Sequence, residues 1–290
     1  MTENFNKIKL EIQKKSIVAG ISSDEVAYAK SLVDGKNKNK KIFICEGLWA
    51  ADKLIEKKLN VTHFFFNSEK LAENQLSNEE LEKILRIVKY SKQSFAISEK
   101  ACKKISDRDG FDEFFIVAEL PVYTLNDLTK MFEGKNNVLG IIMDGLEQPG
   151  NIGAILRTCD AAGADFAIST NIQARLSNSR LVRSSFGAVF MIPVLEAEIE
   201  DVQNWLVENH FKSVVTDLQG KKSFKDADYS GRVVIVAGNE HTGISASWRN
   251  VEGAESVIIP MLGSVESLNV GFATTLVAYE AGLKKFGNKK

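Results

Sequence analysis

Residues 138–170, VLGIIMDGLEQPGNIGAILRTCDAAGADFAIST, decide the fold class of this chain. The apolar run at the start predicts a buried strand, the segment from Asn151 predicts a helix ending at Gly163, and DFAIST predicts the next strand. Further short β-rich segments follow, with the sequences SVVTDL, RVVIVAG and SVIIPM. Because strands that alternate with helices form parallel sheets, we expect an α/β domain with a mostly parallel sheet.

A second, smaller α/β pattern precedes this one. The segment KIFICEGLWAADKLIEKKLNVTHFFF predicts strand, helix and strand, and SNEELEKILRIVKY opens like a capped helix. We therefore predict four parts: a polar, helical leader over residues 1–40, a first domain over 41–120, a linker over 121–137 and a second domain over 138–290.

Composition restricts the class of protein. The chain has 290 residues, 44% hydrophobic residues and a net charge of -1, as expected of a folded soluble protein. No stretch has the length and apolar character of a membrane helix, and the N-terminus lacks an apolar secretory segment, which predicts a cytoplasmic protein without a membrane partner. Cys45, Cys102 and Cys159 lack metal-type spacing, so we expect reduced thiols and no metal.

Within the first 120 residues, the segment DGKNKNKK concentrates positive charge. It contains Lys36, Lys38, Lys40 and Lys41. Such a run is most often a solvated loop, and the alternative is a local face for nucleic acid.

Unusual polar residues follow three of the predicted strands. The loops are DGLEQPGNIGAILR, AGNEHTGIS and PMLGSVESLN, and the carboxyl ends of parallel strands are where such sheets bind ligands. The spacing of a dinucleotide-binding glycine turn is absent, and so is a phosphate-binding loop of the G-x-x-x-x-G-K type. These loops therefore indicate a ligand site of another kind.

Three long stretches, in order, resemble motifs 1, 2 and 3 of the SpoU-type (TrmH-like) RNA ribose 2'-O-methyltransferases of the SPOUT class. They are DGLEQPGNIGAILRTCDAAGAD, VAGNEHTGIS and IIPMLGSVESLNVGFATTLVAYE, and the resemblance covers roughly residues 138–286. It implies a C-terminal SPOUT domain with a deep trefoil knot, an S-adenosylmethionine site and a homodimer. Through IFICEGLWAADKLIEK, the first domain resembles the L30e-like RNA-binding domain that often precedes it.

The resemblance also implies roles for individual residues. In the catalytic group it places Asn151, Arg157, Glu240, Ser267 and Asn269. Arg157 is the group proposed to act on the 2'-hydroxyl; because a guanidinium stays protonated in proteins, we expect it to orient the hydroxyl and stabilise negative charge. Each residue also has a structural interpretation, as a helix cap for Asn151, Ser267 and Asn269, an exposed helix residue for Arg157 and an exposed loop acid for Glu240.

The expected cofactor-binding residues are Gly238, Ile259 and Leu268, with Asn269 beside them. Arg183, Ser184 and Ser185, in RLVRSSFGAVFMIPV, are candidates for contact with RNA. His241 has no role in the resemblance, and a lone loop histidine is most often solvated.

The sequence thus predicts an S-adenosylmethionine-dependent methyltransferase that acts on a ribose 2'-hydroxyl, in 23S-type ribosomal RNA. The first domain favours ribosomal over transfer RNA by analogy with relatives. Two alternatives stay open: a transfer RNA 2'-O-methyltransferase, and a non-catalytic RNA-binding or ribosome-assembly factor on the same scaffold.

Overall fold

The computed structural model of the chain describes residues 2–106, 110 and 113–287. Contacts divide the chain into two compact units, the first formed by residues 1–121 with 176–183 and the second by residues 122–175 with 184–290. The predicted leader falls within the first unit, and nearly all of the predicted linker falls within the second.

The first unit is built around a five-stranded mixed sheet with the strand order β1-β4-β3-β5-β2. Strand β4 pairs parallel to both β1 and β3, whereas β5 runs antiparallel to β3 and β2. Its elements are α1 (Thr2–Lys15), β1 (Ile17–Val18), α2 (Asp24–Val33), β2 (Ile42–Glu46), α3 (Ala51–Glu56), β3 (Val61–Asn67), α4 (Ser68–Ala72), α5 (Asn78–Tyr90), β4 (Gln93–Ile97), α6 (Glu99–Ile105) and β5 (Phe114–Glu119).

Helix α2 shows why the predicted leader is not separate from this unit. Its Val26, Ala29 and Leu32 recur at spacings of three, so they share one face, and that face is buried in the core beneath the sheet. Ser23 accepts a hydrogen bond from the Val26 N-H and starts the helix. The likeness of the unit to L30e-like domains stays a prediction.

The second unit is built around a seven-stranded sheet with the order β10-β12-β9-β11-β6-β7-β8, in which every paired strand is parallel. This confirms the predicted α/β class and parallel sheet; the trefoil knot stays a prediction. The remaining elements are α7 (Leu125–Met131), β6 (Val138–Asp144), α8 (Pro149–Ala162), β7 (Phe166–Thr170), α9 (Ser179–Ser184), α10 (Ala188–Met191), β8 (Val194–Glu196), α11 (Ile199–Glu208), β9 (Lys212–Thr216), β10 (Lys222–Ser223), β11 (Arg232–Ala237), α12 (Ala246–Arg249), β12 (Ala254–Ile258) and α13 (Val270–Phe286).

The opening stretch of sequence folds as strand, helix and strand. All seven residues of β6 are buried. Helix α8 begins with Pro149, which lacks an N-H; the N-H groups of the first turn have no acceptor within the helix, so no helical hydrogen bond is lost. The helix ends at Gly163, which has a left-handed φ of 75°. It packs along α13, where the hydroxyls of Thr158 and Thr275 lie 2.8 Å apart. These contacts hold the start of both helices at the carboxyl edge of the sheet.

The three cysteines are buried, with 1%, 0% and 0% exposure for Cys45, Cys102 and Cys159. Burial raises the pKa of each thiol, to about 12 for Cys102. In the described part of the chain, no helix is long and apolar enough to cross a membrane. The same residues contain no group of three or more His, Cys, Asp or Glu side chains arranged to hold a metal ion.

Candidate active site

The start of helix α8 receives its acceptor from a distant loop. Its N-cap residue, Gln148, makes no side-chain capping bond. Glu240, in the loop after β11, lies at this helix start: its Oε2 accepts a hydrogen bond at 3.3 Å from the N-H of Glu147, the residue before the N-cap. A carboxylate at this position is also favoured by the helix dipole.

The charge state of Glu240 follows from its surroundings. Burial raises the pKa of this carboxyl, but the Asn151 amide and the backbone N-H groups of residues 240, 147 and 148 donate to it and hold its pKa below the ordinary value. Glu240 is therefore an ionised hydrogen-bond acceptor at neutral pH, which suits an orienting group better than a proton acceptor.

Three predicted site residues form one hydrogen-bonded chain. The Asn269 Nδ2 donates to the Asn151 Oδ1 at 3.2 Å, and the Asn151 Nδ2 donates to the Glu240 Oε1 at 2.8 Å. Because a carboxylate only accepts, it fixes which end of the Asn151 amide faces it. Asn269 also caps α13, since its Oδ1 accepts a hydrogen bond from the Gly271 N-H. The capping interpretation is thus confirmed for Asn269, whereas the N-cap of α8 is Gln148 and not Asn151.

A cavity of about 540 Å³ lies beside this chain, at the carboxyl ends of β9, β11 and β12. All four residues predicted to bind the cofactor line it, and so do three of the five predicted catalytic residues, with Asn269 in both groups. These six are Gly238, Glu240, Ile259, Ser267, Leu268 and Asn269. Residues of motifs 2 and 3 therefore meet at one cavity in the fold.

Gly238 is required by the close approach of two backbone segments. A Cβ on this residue would lie 2.4 Å from the Gly243 carbonyl carbon and 2.4 Å from the Ile244 nitrogen. The loop between them is closed by paired backbone hydrogen bonds joining Asn239 to Gly243. Any side chain here would force open the loop that carries Glu240.

Two predicted catalytic residues, Asn151 and Arg157, do not line the cavity. Arg157 follows Asn151 by six residues on α8 and is exposed. Its guanidinium carbon lies 5.5 Å from the centre of the Phe186 ring. Asn151, in contrast, belongs to the hydrogen-bonded chain with Glu240 and Asn269.

The predicted RNA-contacting residues have mixed surroundings. Lys36, Lys38, Lys40 and Lys41 are exposed, and Lys36 pairs with Asp34 at 2.9 Å. Arg183 lies 3.6 Å from the buried carboxylate of Glu46.

The two serines that follow Arg183 make contacts within the chain. Ser184 donates to the Pro149 carbonyl, and Ser185 is 1% exposed and accepts from the Gly187 N-H. The structure thus corrects the role expected for Ser185, because RNA cannot reach a side chain buried to this extent.

Sequence reasoning missed two acids that follow strands. Asp144, at the end of β6, is buried and accepts hydrogen bonds from Thr170, Asn171 and the Ser245 N-H, so it ties together the loops after β6, β7 and β11. Asp144 is the first residue of the loop DGLEQPGNIGAILR, so the rule that selected this loop, a polar residue at a strand's carboxyl end, also applies to Asp144 itself.

Asp217 directly follows β9 and pairs with the Arg249 Nε at 2.7 Å on the cavity wall. This pair holds the pKa of the Asp217 carboxyl below its usual value despite burial. His241, which the sequence left without a role, also lines the cavity.

Comparison with known proteins places these features in a family. The profile of the SpoU rRNA Methylase family matches residues 138–279. The chain is 30% identical over 223 residues to YacO of Bacillus subtilis, provisionally named a TrmH family tRNA/rRNA methyltransferase; the match covers 74% of this chain and 87% of YacO.

Two further comparisons point the same way. The chain is 33% identical over 175 residues to the 23S rRNA (uridine(2479)-2'-O)-methyltransferase of Streptomyces viridochromogenes, with 58% of this chain and 59% of that relative covered. The match thus spans less than two thirds of that enzyme. The crystal structure of an AdoMet-bound rRNA methyltransferase from Sinorhizobium meliloti superposes with a TM-score of 0.78, 26% identity and coverage of 91% of this chain and 97% of that one.

The second unit is an α/β domain with a loop-lined cavity at the carboxyl edge of its parallel sheet, the place where such domains bind small ligands. The hydrogen-bonded chain of Asn269, Asn151 and Glu240 lies at the rim of this cavity. The chain belongs to the SpoU (TrmH) family of RNA methyltransferases. Its second unit accordingly has the SPOUT-class fold that the three motifs implied.

Proposed function

We propose that this protein transfers a methyl group from S-adenosylmethionine to a ribose 2'-hydroxyl of 23S-type ribosomal RNA, in the cytoplasm. The observation that carries the proposal is the cavity lined by Gly238, Ile259 and Leu268, with the chain of Asn269, Asn151 and Glu240 at its rim. Family membership and the activity named for the Streptomyces viridochromogenes relative support the choice of ribosomal RNA.

The cavity suits S-adenosylmethionine in size and chemistry. About 540 Å³ lies within the range of pockets that enclose small ligands and cofactors. Gly238, Ile259 and Leu268 would hold the adenosine part through backbone groups and apolar contact, because none of them brings a polar side chain. When bound, the cofactor supplies a methyl group on a positively charged sulfur, ready for in-line displacement.

Residues at the rim would hold the ribose. Asn151 is fixed between Glu240 and Asn269, which preorganises its amide at the edge of the cavity. Ser267 lines the cavity and is exposed, so its hydroxyl is accessible to substrate. Arg157 would orient the 2'-hydroxyl and stabilise the negative charge that develops as the proton leaves.

A homodimer is part of this proposal. Phe272, Leu276, Tyr279 and Leu283 recur on α13 at spacings of four, three and four, so they share one helix face. They are 70%, 44%, 43% and 64% exposed, an apolar surface that a second copy would cover. A second copy on this face would also add residues beside α8, which carries Arg157.

Solution measurements would test the dimer. Sedimentation should give twice the chain mass, and Leu276→Glu should shift the equilibrium toward the monomer. A monomeric wild-type protein at micromolar concentration would rule the dimer out.

The RNA-facing part of the proposal assigns Lys36, Lys38, Lys40 and Lys41 to substrate binding. All four are exposed on one loop of the first unit. If they contact phosphates, replacing all four by Gln should weaken RNA binding at low salt and flatten its dependence on salt concentration. Unchanged RNA affinity would assign the loop to solvent.

Mapping ribose methylation in cells with and without the gene tests the function directly. We expect one 2'-O-methyl group to disappear from 23S-type ribosomal RNA; loss from transfer RNA would instead support the transfer RNA alternative. An unchanged profile in both would contradict the proposal. In vitro, Arg157→Ala should slow methyl transfer by at least about 100-fold with S-adenosylhomocysteine affinity nearly intact.

A further inference from the structure

Phe186 has a backbone conformation that its side chain disfavours. Its φ is 49°, in the left-handed region, and Gly187 follows with a φ of 88°. Glycine adopts this region freely and asparagine tolerates it, whereas a bulky side chain pays a steric penalty. Phe186 is 45% exposed, so complete burial of the ring is not what compensates for the strain.

Neighbouring residues hold this strained turn in place. The Ser184 hydroxyl donates to the Pro149 carbonyl at 3.4 Å, which ties the turn to the start of α8. Ser185 is buried, and its Oγ accepts the Gly187 N-H at 3.2 Å. A strained residue that its surroundings fix this firmly points to a functional role.

The Phe186 ring faces Arg157. The guanidinium carbon lies 5.5 Å from the ring centroid, within the range of a cation-π contact, and Arg157 is otherwise on the exposed face of α8. A long, exposed side chain samples many rotamers, and contact with a fixed aromatic ring restricts them.

We propose that Phe186 is a positioning residue for the methyl transfer, and that its ring holds the Arg157 guanidinium in the orientation that the 2'-hydroxyl requires. The inference rests on the proposed function, because it assigns Phe186 a role through Arg157. With this turn, the ring lies beside α8, 5.5 Å from the Arg157 guanidinium carbon.

Glycine at this position separates strain from function. Phe186→Gly relieves the backbone strain and removes the ring, so we expect a raised melting temperature, unchanged affinities for S-adenosylhomocysteine and RNA, and a single-turnover rate lower by about 5- to 30-fold. Phe186→Asn should behave in the same way, and Phe186→Tyr, which keeps the ring, should retain the wild-type rate.

His210→Gly is the matched control. His210 is exposed, has a φ of 57° in the same unit, and lies before β9, at the sheet edge opposite the cavity. Its replacement should raise the melting temperature without changing the rate. A wild-type rate in Phe186→Gly would overturn the proposal. An equally reduced rate in Phe186→Tyr, which keeps the ring, would also overturn it.

A second readout needs no activity. The Phe186 ring current should shift the Arg157 Nε-H resonance, assigned with Arg157→Lys, and that shift should disappear in Phe186→Gly and persist in Phe186→Tyr. An unchanged Arg157 resonance in Phe186→Gly would show that the ring does not hold it. If the wild-type protein transferred no methyl group to RNA, the proposed function would be wrong. The resonance test would still show whether the Phe186 ring contacts Arg157.

Discussion

Replacing Glu240 by Gln tests the carboxylate at the start of α8. Its two oxygens accept hydrogen bonds from Asn151 at 2.8 Å and from the Glu147 N-H at 3.3 Å. Gln keeps one acceptor, but its NH₂ group would face a backbone donor. A hydrogen bond to a charged group contributes about 1.5–3 kcal/mol, and partial exposure reduces this, so we expect Glu240→Gln to lower the free energy of unfolding by about 1–2 kcal/mol at pH 7.

The pH dependence identifies the charge as the cause. The pKa of Glu240 is lower in the folded protein than the unfolded value of about 4.3, so the carboxylate stabilises the fold fully above that pH and less as pH falls. The difference in unfolding free energy between wild type and Glu240→Gln should therefore shrink as pH falls below about 4. The same difference at pH 3.5 and pH 7 would refute the electrostatic explanation.

Tryptophan fluorescence during urea denaturation measures this difference. Trp205 and Trp248 are buried in the second unit, and a Trp49→Phe background removes the signal of the first. Glu208→Gln is the control: it removes the same charge from an exposed residue of the same unit and should change stability little. Glu240→Gln should also slow single-turnover methyl transfer by at least about tenfold, because Asn151 loses its fixed partner.

Three further changes give distinct results. Gly238→Ala should weaken S-adenosylhomocysteine binding by at least about tenfold in calorimetry, since its Cβ would lie 2.4 Å from the Gly243 carbonyl carbon, whereas Gly20→Ala, with open space around it, should not. Asp144→Asn should destabilise the second unit by about 2–4 kcal/mol in urea, because a buried carboxylate with three donors is lost; an unchanged denaturation midpoint would contradict this. Burial lowers the pKa of Lys285 to about 8, below the unfolded value of about 10.4, so its contribution to stability rises with pH across that window. The free energy of unfolding of the wild type should therefore rise relative to that of Lys285→Met between pH 8 and 10. Both proteins contain the same three cysteines, so any pH dependence that the thiols contribute cancels in this difference.

The sequence predicts the second unit well where local patterns carry the information. The apolar run of β6 and Gly163 at the end of α8 follow from short-range chemistry, and the structure has both, although α8 begins at Pro149 and not at Asn151, and its N-cap is Gln148. The parallel sheet follows from the alternation of strands and helices. Gly238 and Leu268, which the motifs assign to one cofactor site, line the same cavity, and their role there stays a prediction.

Other features depend on contacts that a local pattern does not contain. Residues 176–183 cluster with the first unit although they follow β7 of the second, and nothing in their sequence signals that. The left-handed φ of Phe186 could not be predicted from the sequence, because phenylalanine rarely adopts this conformation. Asn151 and Arg157 are the opposite case: six residues on one α-helix are about 9 Å apart along the axis and about 120° apart around it, so their spacing alone places them on different sides of α8.

The rate at which the buried cysteines react with a thiol reagent can measure local opening of the structure. Cys45 and Cys102 lie in the first unit and Cys159 in the second, so a thiol reagent reaches each sulfur only when its surroundings open. The labelling rate of Cys159 alone, in a Cys45→Ala, Cys102→Ala background, would report openings of α8. Slower labelling after addition of S-adenosylhomocysteine would then reveal ligand binding without any enzymatic assay.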